Sequence, residues 1–185
     1  ETRVYWNEKD RMLKLAVPTC FTRGTAVGQT AFGVERLRGQ GRESVAQRWA
    51  AVVAEGGEQA LTLINSGTYG LDALYGELRL SLLRSAAYSC HPINDRPYLP
   101  EHCFTPRMDQ GERVFRFWLN AGAAGERLQA VDREATAHGE QPVALSFFPN
   151  GSGSLPQPLV LLDDPAIQLS AREQAEDGDG LILRL

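Results

Sequence analysis

From Glu77 to Arg84 the chain alternates with a period of two. Leu78, Leu80 and Leu82 fall on one side and Glu77, Arg79 and Ser81 on the other, the pattern of a half-buried β-strand. The same parity places Arg84 on the leucine side at the strand's end, where a guanidinium needs an acceptor or a cleft. Ahead of this strand, Leu61, Leu63 and Ile64 mark another. Between them Asn65, Gly67, Gly70, Asp72 and Gly76 supply the backbone freedom for a long, ordered connection.

The flanking segments read the same way. Val4 to Trp6 begins as a strand, and Leu13, Leu15 and Val17 alternate with Met12, Lys14 and Ala16 until Pro18 ends the run. Gly24 and Gly28 bracket a loop, Ala31 to Leu37 is a strand with mixed faces, and Arg38 to Ser44 is a polar turn. Trp49, Ala51 and Val53 share parity, and Gly56-Gly57 turns the chain into the Leu61 strand, giving a meander. Ser85 to Pro106 has no period and is broken by Pro92, Pro97, Pro100 and Pro106. Irregular loops longer than ~15 residues are uncommon and are often functional. Glu112 to Leu119 is predicted as one strand with Phe115, Phe117 and Leu119 toward the core, pairing near the leucine strand. Gly125 to Ala137 is the one predicted helix, with Leu128, Val131 and Ala135 on its inner face and Gly139 and Pro142 to stop it. Val143 to Phe148, Leu159 to Leu162, Ile167 to Ser170 and Leu181 to Leu185 complete the strands. Many strands and one short helix predict an all-β fold, a large two-sheet sandwich over residues 1–185 as a single domain.

Composition narrows the partners. A net charge of -4 with 19 basic residues scattered along the chain offers no basic stripe for phosphates, which argues against nucleic acid. No run approaches the roughly 18 apolar residues that span a bilayer. Three cysteines do not suggest a disulfide scaffold, and free thiols fit a reducing cytoplasm. The chain starts at Glu1 and stops within the strand-like GLILRL, so a piece of a longer protein is expected.

INSGTYG followed by GELRLSLLRS resembles the C-terminal half of the α-mannosidases of glycoside hydrolase family 38, where an Asn-Asp-x-x-Tyr-Gly turn precedes a Leu-Leu-Arg-Ser strand. WNEKDRMLKLAVPT (Trp6 to Thr19), FGVERLRG (Phe32 to Gly39), AQRWAAV (Ala46 to Val52), DQGERVFRFWLNAG (Asp109 to Gly122) and REQAEDGDGLILRL (Arg172 to Leu185) are similar to family segments in the same order. Ser66 stands where the family often has Asp, and Arg113 where it often has His. The resemblance implies the supersandwich-like, galactose-mutarotase-like β domain of these enzymes. It implies hydrolysis of terminal α-mannosides with retention, by a carboxylate nucleophile and a zinc ion held in an N-terminal catalytic domain of the same polypeptide. This chain would then carry no catalytic residue and no metal, and be inactive alone.

Candidate side chains follow from chemistry and from the resemblance. Retaining glycosidases use two carboxyl groups about 5 Å apart, and Asp72, Glu77, Asp95 and Asp109 are conceivable, although each sits on a turn or polar face where solvated carboxylates are common. Cys90-His91 and His102-Cys103 mirror each other in the long loop, but adjacent side chains on an extended chain point apart, and the spacing is not that of a structural zinc site. Surface histidines and buried free thiols are the ordinary alternative, and a small metal-binding module the other. His138 at the helix end suits an interaction with the terminal carbonyls. Trp49, Trp118, Tyr69 and Arg84 are types that stack on sugar rings or hydrogen-bond hydroxyls; for the tryptophans a core role is the stronger reading. Arg84 pairs either with Asp72 or Glu77 or with a sugar, and the resemblance places Arg84 and Tyr69 at the rim of the mannoside site. A freestanding carbohydrate-binding or sugar-epimerising sandwich is the competing function, since fold does not dictate activity.

Overall fold

The structure is a computed structural model that describes residues 1–31, 33–87, 106–145, 153, 157–164 and 166–185. These divide into two units, Glu1–Gly139 and Glu140–Leu185.

The first unit holds β1 (Thr2–Trp6), β2 (Met12–Pro18), β3 (Gly24–Thr30), β4 (Gly33–Arg36), β5 (Ser44–Val45), β6 (Trp49–Ala54), β7 (Gln59–Asn65), β8 (Gly70–Leu74), β9 (Glu77–Arg84), β10 (Gly111–Phe115), β11 (Phe117–Ala123) and α1 (Ala124–Gly139). A five-stranded sheet runs β11-β7-β6-β3-β4, a four-stranded sheet β2-β9-β8-β5, and β1 pairs with β10 as a ribbon. The two larger sheets face each other. Val17, Leu71, Leu78 and Leu80 from one meet Ala26, Ala50, Val52 and Leu63 from the other, with Leu37 and Ala46 closing the cluster. Burying each of these leucines contributes roughly 1.5–3 kcal/mol. The protein is an all-β sandwich.

The five-stranded sheet is apolar on both faces. Its outer side carries Trp49, Ala51 and Ile64 against Val131 and Ala135 of α1, with Trp118 and Leu128 packed beside them. This explains why Trp49 to Val52 are buried without alternation: a strand covered on both faces has no polar side to show. The helix spans the predicted residues, with Ala124 added at its start and His138 and Gly139 at its end.

Several predicted elements change. Gly24 and Gly28 lie within strand β3, between β6 and β4, rather than bounding a loop. A Cβ on Gly24 would stand 2.7 Å from Val53 O, and one on Gly28 2.6 Å from Ala46 Cβ, so these glycines permit close packing in the sheet. The connection after Asn65 contains β8, and β8 and β9 form a hairpin whose turn residues Tyr75 and Gly76 have φ of 49° and 77°, as tight hairpin turns require. β7 and β9 therefore belong to different sheets. The predicted strand from Glu112 to Leu119 is two: β10 pairs with β1, whereas β11 pairs with β7 and not with the leucine strand. Phe117 packs on the sandwich core as expected and Trp118 lies on the opposite face, which the helix covers, whereas Leu119 is exposed rather than core.

Among its described residues the second unit contains one hairpin, β12 (Ala171–Gln174) with β13 (Leu181–Arg184). Leu159 to Leu162 and Ile167 to Ser170 are not strands. The hairpin's register is set by its turn, where Ala175 N donates to Gly180 O at 2.9 Å, and this pairs the residues just after the predicted segment. Residues 143–145 are not strand, and the remainder of the Val143 to Phe148 prediction lies outside the described residues.

Candidate functional site

The outward face of the four-stranded sheet is polar, and its register brings charges together. Asp72 on β8 lies opposite Arg79 on β9, and Lys14 on β2 opposite Ser81. Asp72 is only 1% exposed. Its Oδ1 accepts a hydrogen bond from Arg79 Nε at 2.7 Å, and its Oδ2 pairs with the Lys14 ammonium, which also pairs with Glu43 just before β5. Ser81 Oγ donates to Glu43 Oε2 at 3.2 Å. A buried carboxylate is tolerable only with partners of this kind. Burial pulls the Lys14 pKa down, but the hydrogen bonds and charges of Asp72 and Glu43 outweigh it and hold the ammonium above its ordinary value.

Beside this cluster lies an open groove of about 340 Å³, lined by Glu43, Ser81, Arg84 and Asp109 among polar residues and by Met12 and Val45 among apolar ones. Arg84 reaches it because β9 is bulged. Leu13 pairs with Leu83 but Lys14 with Ser81, so Leu82 is an extra residue and the parity inverts beyond it. Leu83 is buried and Arg84 exposed. The expected place of Arg84 on the leucine face is thus overturned, and so is its pairing with Asp72, which Lys14 and Arg79 occupy.

Asp109 stands at the other wall. Its backbone is left-handed, with φ of 56°, and its Oδ2 accepts from Arg84 N at 3.0 Å. The surrounding corner is cross-tied: Arg107 makes two hydrogen bonds to the Asp10 carboxylate, each 3.1 Å, and Asp10 N donates to Ser85 O at 2.9 Å. Gln110 Nε2 donates to Glu8 O at 3.0 Å.

The turn between the sheets is built on Asn65. Its side-chain nitrogen donates to Gln47 O at 3.0 Å, and its Oδ1 accepts from Gly67 N at 3.0 Å and Thr68 N at 2.7 Å. Such an Asx turn satisfies buried backbone without regular structure. Ala46 N then donates to Tyr69 O at 3.0 Å. The Tyr69 side chain is 53% exposed, and the following residue, Gly70, lines the groove. Ser66, at the position where the resembled turn carries Asp, instead tethers β11, exchanging hydrogen bonds with the Arg116 backbone at 3.2 and 3.3 Å.

The other candidates have other places. Trp49 is core, and its Nε1 donates to Asp132 of α1 at 2.6 Å. Trp118 stacks on His138 with ring centroids 4.2 Å apart, so the imidazole lies flat on the indole. Glu77 lines a separate cavity of about 160 Å³. Asp95, Cys90, His91, His102 and Cys103 lie outside the described residues. Among the described residues no three His, Cys, Asp or Glu side chains gather as a metal site. Glu43 and Lys14 carry no sequence signal: each is one polar residue in a polar position, and only sheet register makes them neighbours.

The arrangement can hold a polar ligand against an apolar floor, and the comparisons say in what kind of protein. The glycosyl hydrolases family 38 C-terminal domain matches residues 1–97, from β1 through the whole of the polar cluster. The chain belongs to that family. Two solved structures from Enterococcus faecalis share the fold. One is a protein in the glycosyl hydrolase family 38, at 19% identity and a TM-score of 0.60, covering 74% of this chain and 16% of its own. The other is an α-mannosidase, at 18% identity and a TM-score of 0.58, covering 74% of this chain and 15% of its own. This chain thus spans about one sixth of the length of the structures it matches. No curated protein matches it. No helix among the described residues is long and apolar enough to cross a membrane.

Proposed function

We propose that this chain is the C-terminal β domain of an α-mannosidase, which hydrolyses terminal α-mannosides with retention and whose nucleophile and zinc reside in an N-terminal catalytic domain of the same polypeptide. The family match over residues 1–97 carries the reading. The domain's work is to pack on the catalytic domain and complete its cleft, with Arg84 and Tyr69 at the rim of the sugar site. Both are exposed, and Arg84 is set at the mouth of a groove by the β9 bulge, where a guanidinium can donate to two sugar hydroxyls at once. Cys20, a free and exposed thiol, fits a cytoplasmic location.

The test is a chromogenic α-mannoside assay with added zinc, run on the 185-residue chain and on a polypeptide carrying it behind its catalytic domain. The chain alone is expected to be silent and the longer polypeptide active. In the latter, Arg84→Ala should raise KM about tenfold with a smaller effect on kcat, as expected for loss of a charge-assisted contact to substrate. Turnover by the chain alone, or none by the longer polypeptide, overturns the reading.

A further inference from the structure

We propose that the groove between β5 and the bulged end of β9 binds a single uncharged hexopyranose, with Arg84 donating to two neighbouring hydroxyls while Glu43 and Asp109 accept from others. This rests on the glycosidase reading above and adds to it two recognition residues and a discrimination against phosphorylated sugars.

The groove's volume, about 340 Å³, is at the small end of ligand pockets and suits one sugar ring rather than a chain. Its two acidic walls are held before any ligand arrives. Glu43 is gripped by Lys14 on one oxygen and Ser81 on the other, and Lys14 is in turn pinned by the buried Asp72. Asp109 is fixed in a left-handed turn conformation, with one oxygen on the Arg84 backbone. Acceptors set in advance lose little freedom on binding.

Arg84 complements them. Its main chain is clamped by Asp109 and by the bulge, while among the described residues no carboxylate pairs with its guanidinium. That planar fork is left to donate to vicinal hydroxyls. Met12 and Val45, 44% and 71% exposed, supply an apolar patch for the sugar's C–H face, and Tyr69 stands one residue from the wall at Gly70. Charge sets the specificity. Among the described residues the carboxylates of Glu43 and Asp109 stand on the groove walls with Arg84 between them, so a phosphate dianion would meet like charge on either side.

The experiment is a titration of the full 185-residue chain with methyl α-mannopyranoside and, separately, mannose 6-phosphate, followed by backbone amide resonances. The mannoside is expected to shift the amides of Ser81, Arg84 and Asp109 with millimolar affinity, and the phosphate to bind more weakly. Arg84→Ala, at an exposed position that leaves the core untouched, should weaken mannoside binding about tenfold with an unchanged melting temperature. Glu43→Gln should narrow the gap between the two ligands. Shifts confined to another part of the chain, no shifts at all, or phosphate binding as tightly as mannoside would overturn the proposal. Mannosidase turnover by the longer polypeptide is measured independently, so failure of the groove leaves that reading distinguishable.

Discussion

Asp72 Oδ1 accepts a hydrogen bond from Arg79 Nε at 2.7 Å across the β8–β9 ladder while Asp72 is 1% exposed. With Lys14 on the other oxygen, the carboxylate is surrounded by cations, and its removal leaves two charges facing each other. Asp72→Ala should therefore destabilise the domain by about 3 kcal/mol, read as a lower urea midpoint with little change in slope. An unchanged midpoint would mean that the cluster is solvated.

The glycines of β3 give a second test with an internal control. Gly28→Ala places a Cβ 2.6 Å from Ala46 Cβ, whereas Gly33→Ala on the adjacent β4 meets nothing within 4 Å. Overpacking should cost roughly 1–3 kcal/mol at Gly28, and Gly33→Ala should stay within about 0.5 kcal/mol of wild type. Thermal melts of the two variants side by side suffice.

One carboxylate ties helix α1 to two strands' side chains. Asp132 Oδ1 accepts from both Trp49 Nε1, at 2.6 Å, and Gln29 Nε2, at 2.8 Å. Asp132→Ala orphans the buried Trp49 indole N–H and the half-buried Gln29 amide and should cost about 1–3 kcal/mol. The Trp49 emission is expected to change with it, because water then competes for the indole N–H. Full stability would show that the apolar packing of Val131 and Ala135 and the hydrogen bonds Arg48–Thr136 and Arg127–Thr62 hold the helix without Asp132.

A fourth prediction concerns acid. Arg127 donates to Glu134 Oε1 at 2.9 Å, and this hydrogen bond, despite burial, holds the Glu134 carboxyl below its ordinary value of 4.5. A depressed folded-state pKa adds stability that is present above the unfolded pKa and is lost as pH falls through the folded one. Stability should thus decline as pH drops below 4.5, and Glu134→Gln should flatten that part of the profile. Denaturant midpoints taken across the acid range check it.

The sandwich was legible because alternation is a local consequence of burial on one face. Leu78 and Leu80 announced β9, and Leu128, Val131 and Ala135 announced α1. β3 was hidden because its glycines have no side chain to pattern, and their reason for being glycine is Val53 O and Ala46, distant in sequence. β10 and β11 read as one strand because the break at Arg116 alters the partner, β1 or β7, without altering the alternation.

The candidate site divides along the same line. Arg84 and Tyr69 were visible from residue type and from a family resemblance that the match over residues 1–97 bears out. By itself the sequence determined an all-β sandwich with one helix, since periodicity and turn residues act over a few neighbours. Which face Arg84 occupies was decided by one extra residue at Leu82, set by pairing with β2, sixty-odd positions away. The assembly of Lys14, Glu43, Asp72 and Arg79 was likewise decided by register between strands that are remote in the chain. No single-strand pattern carries that information, because a ladder's register is a property of two strands.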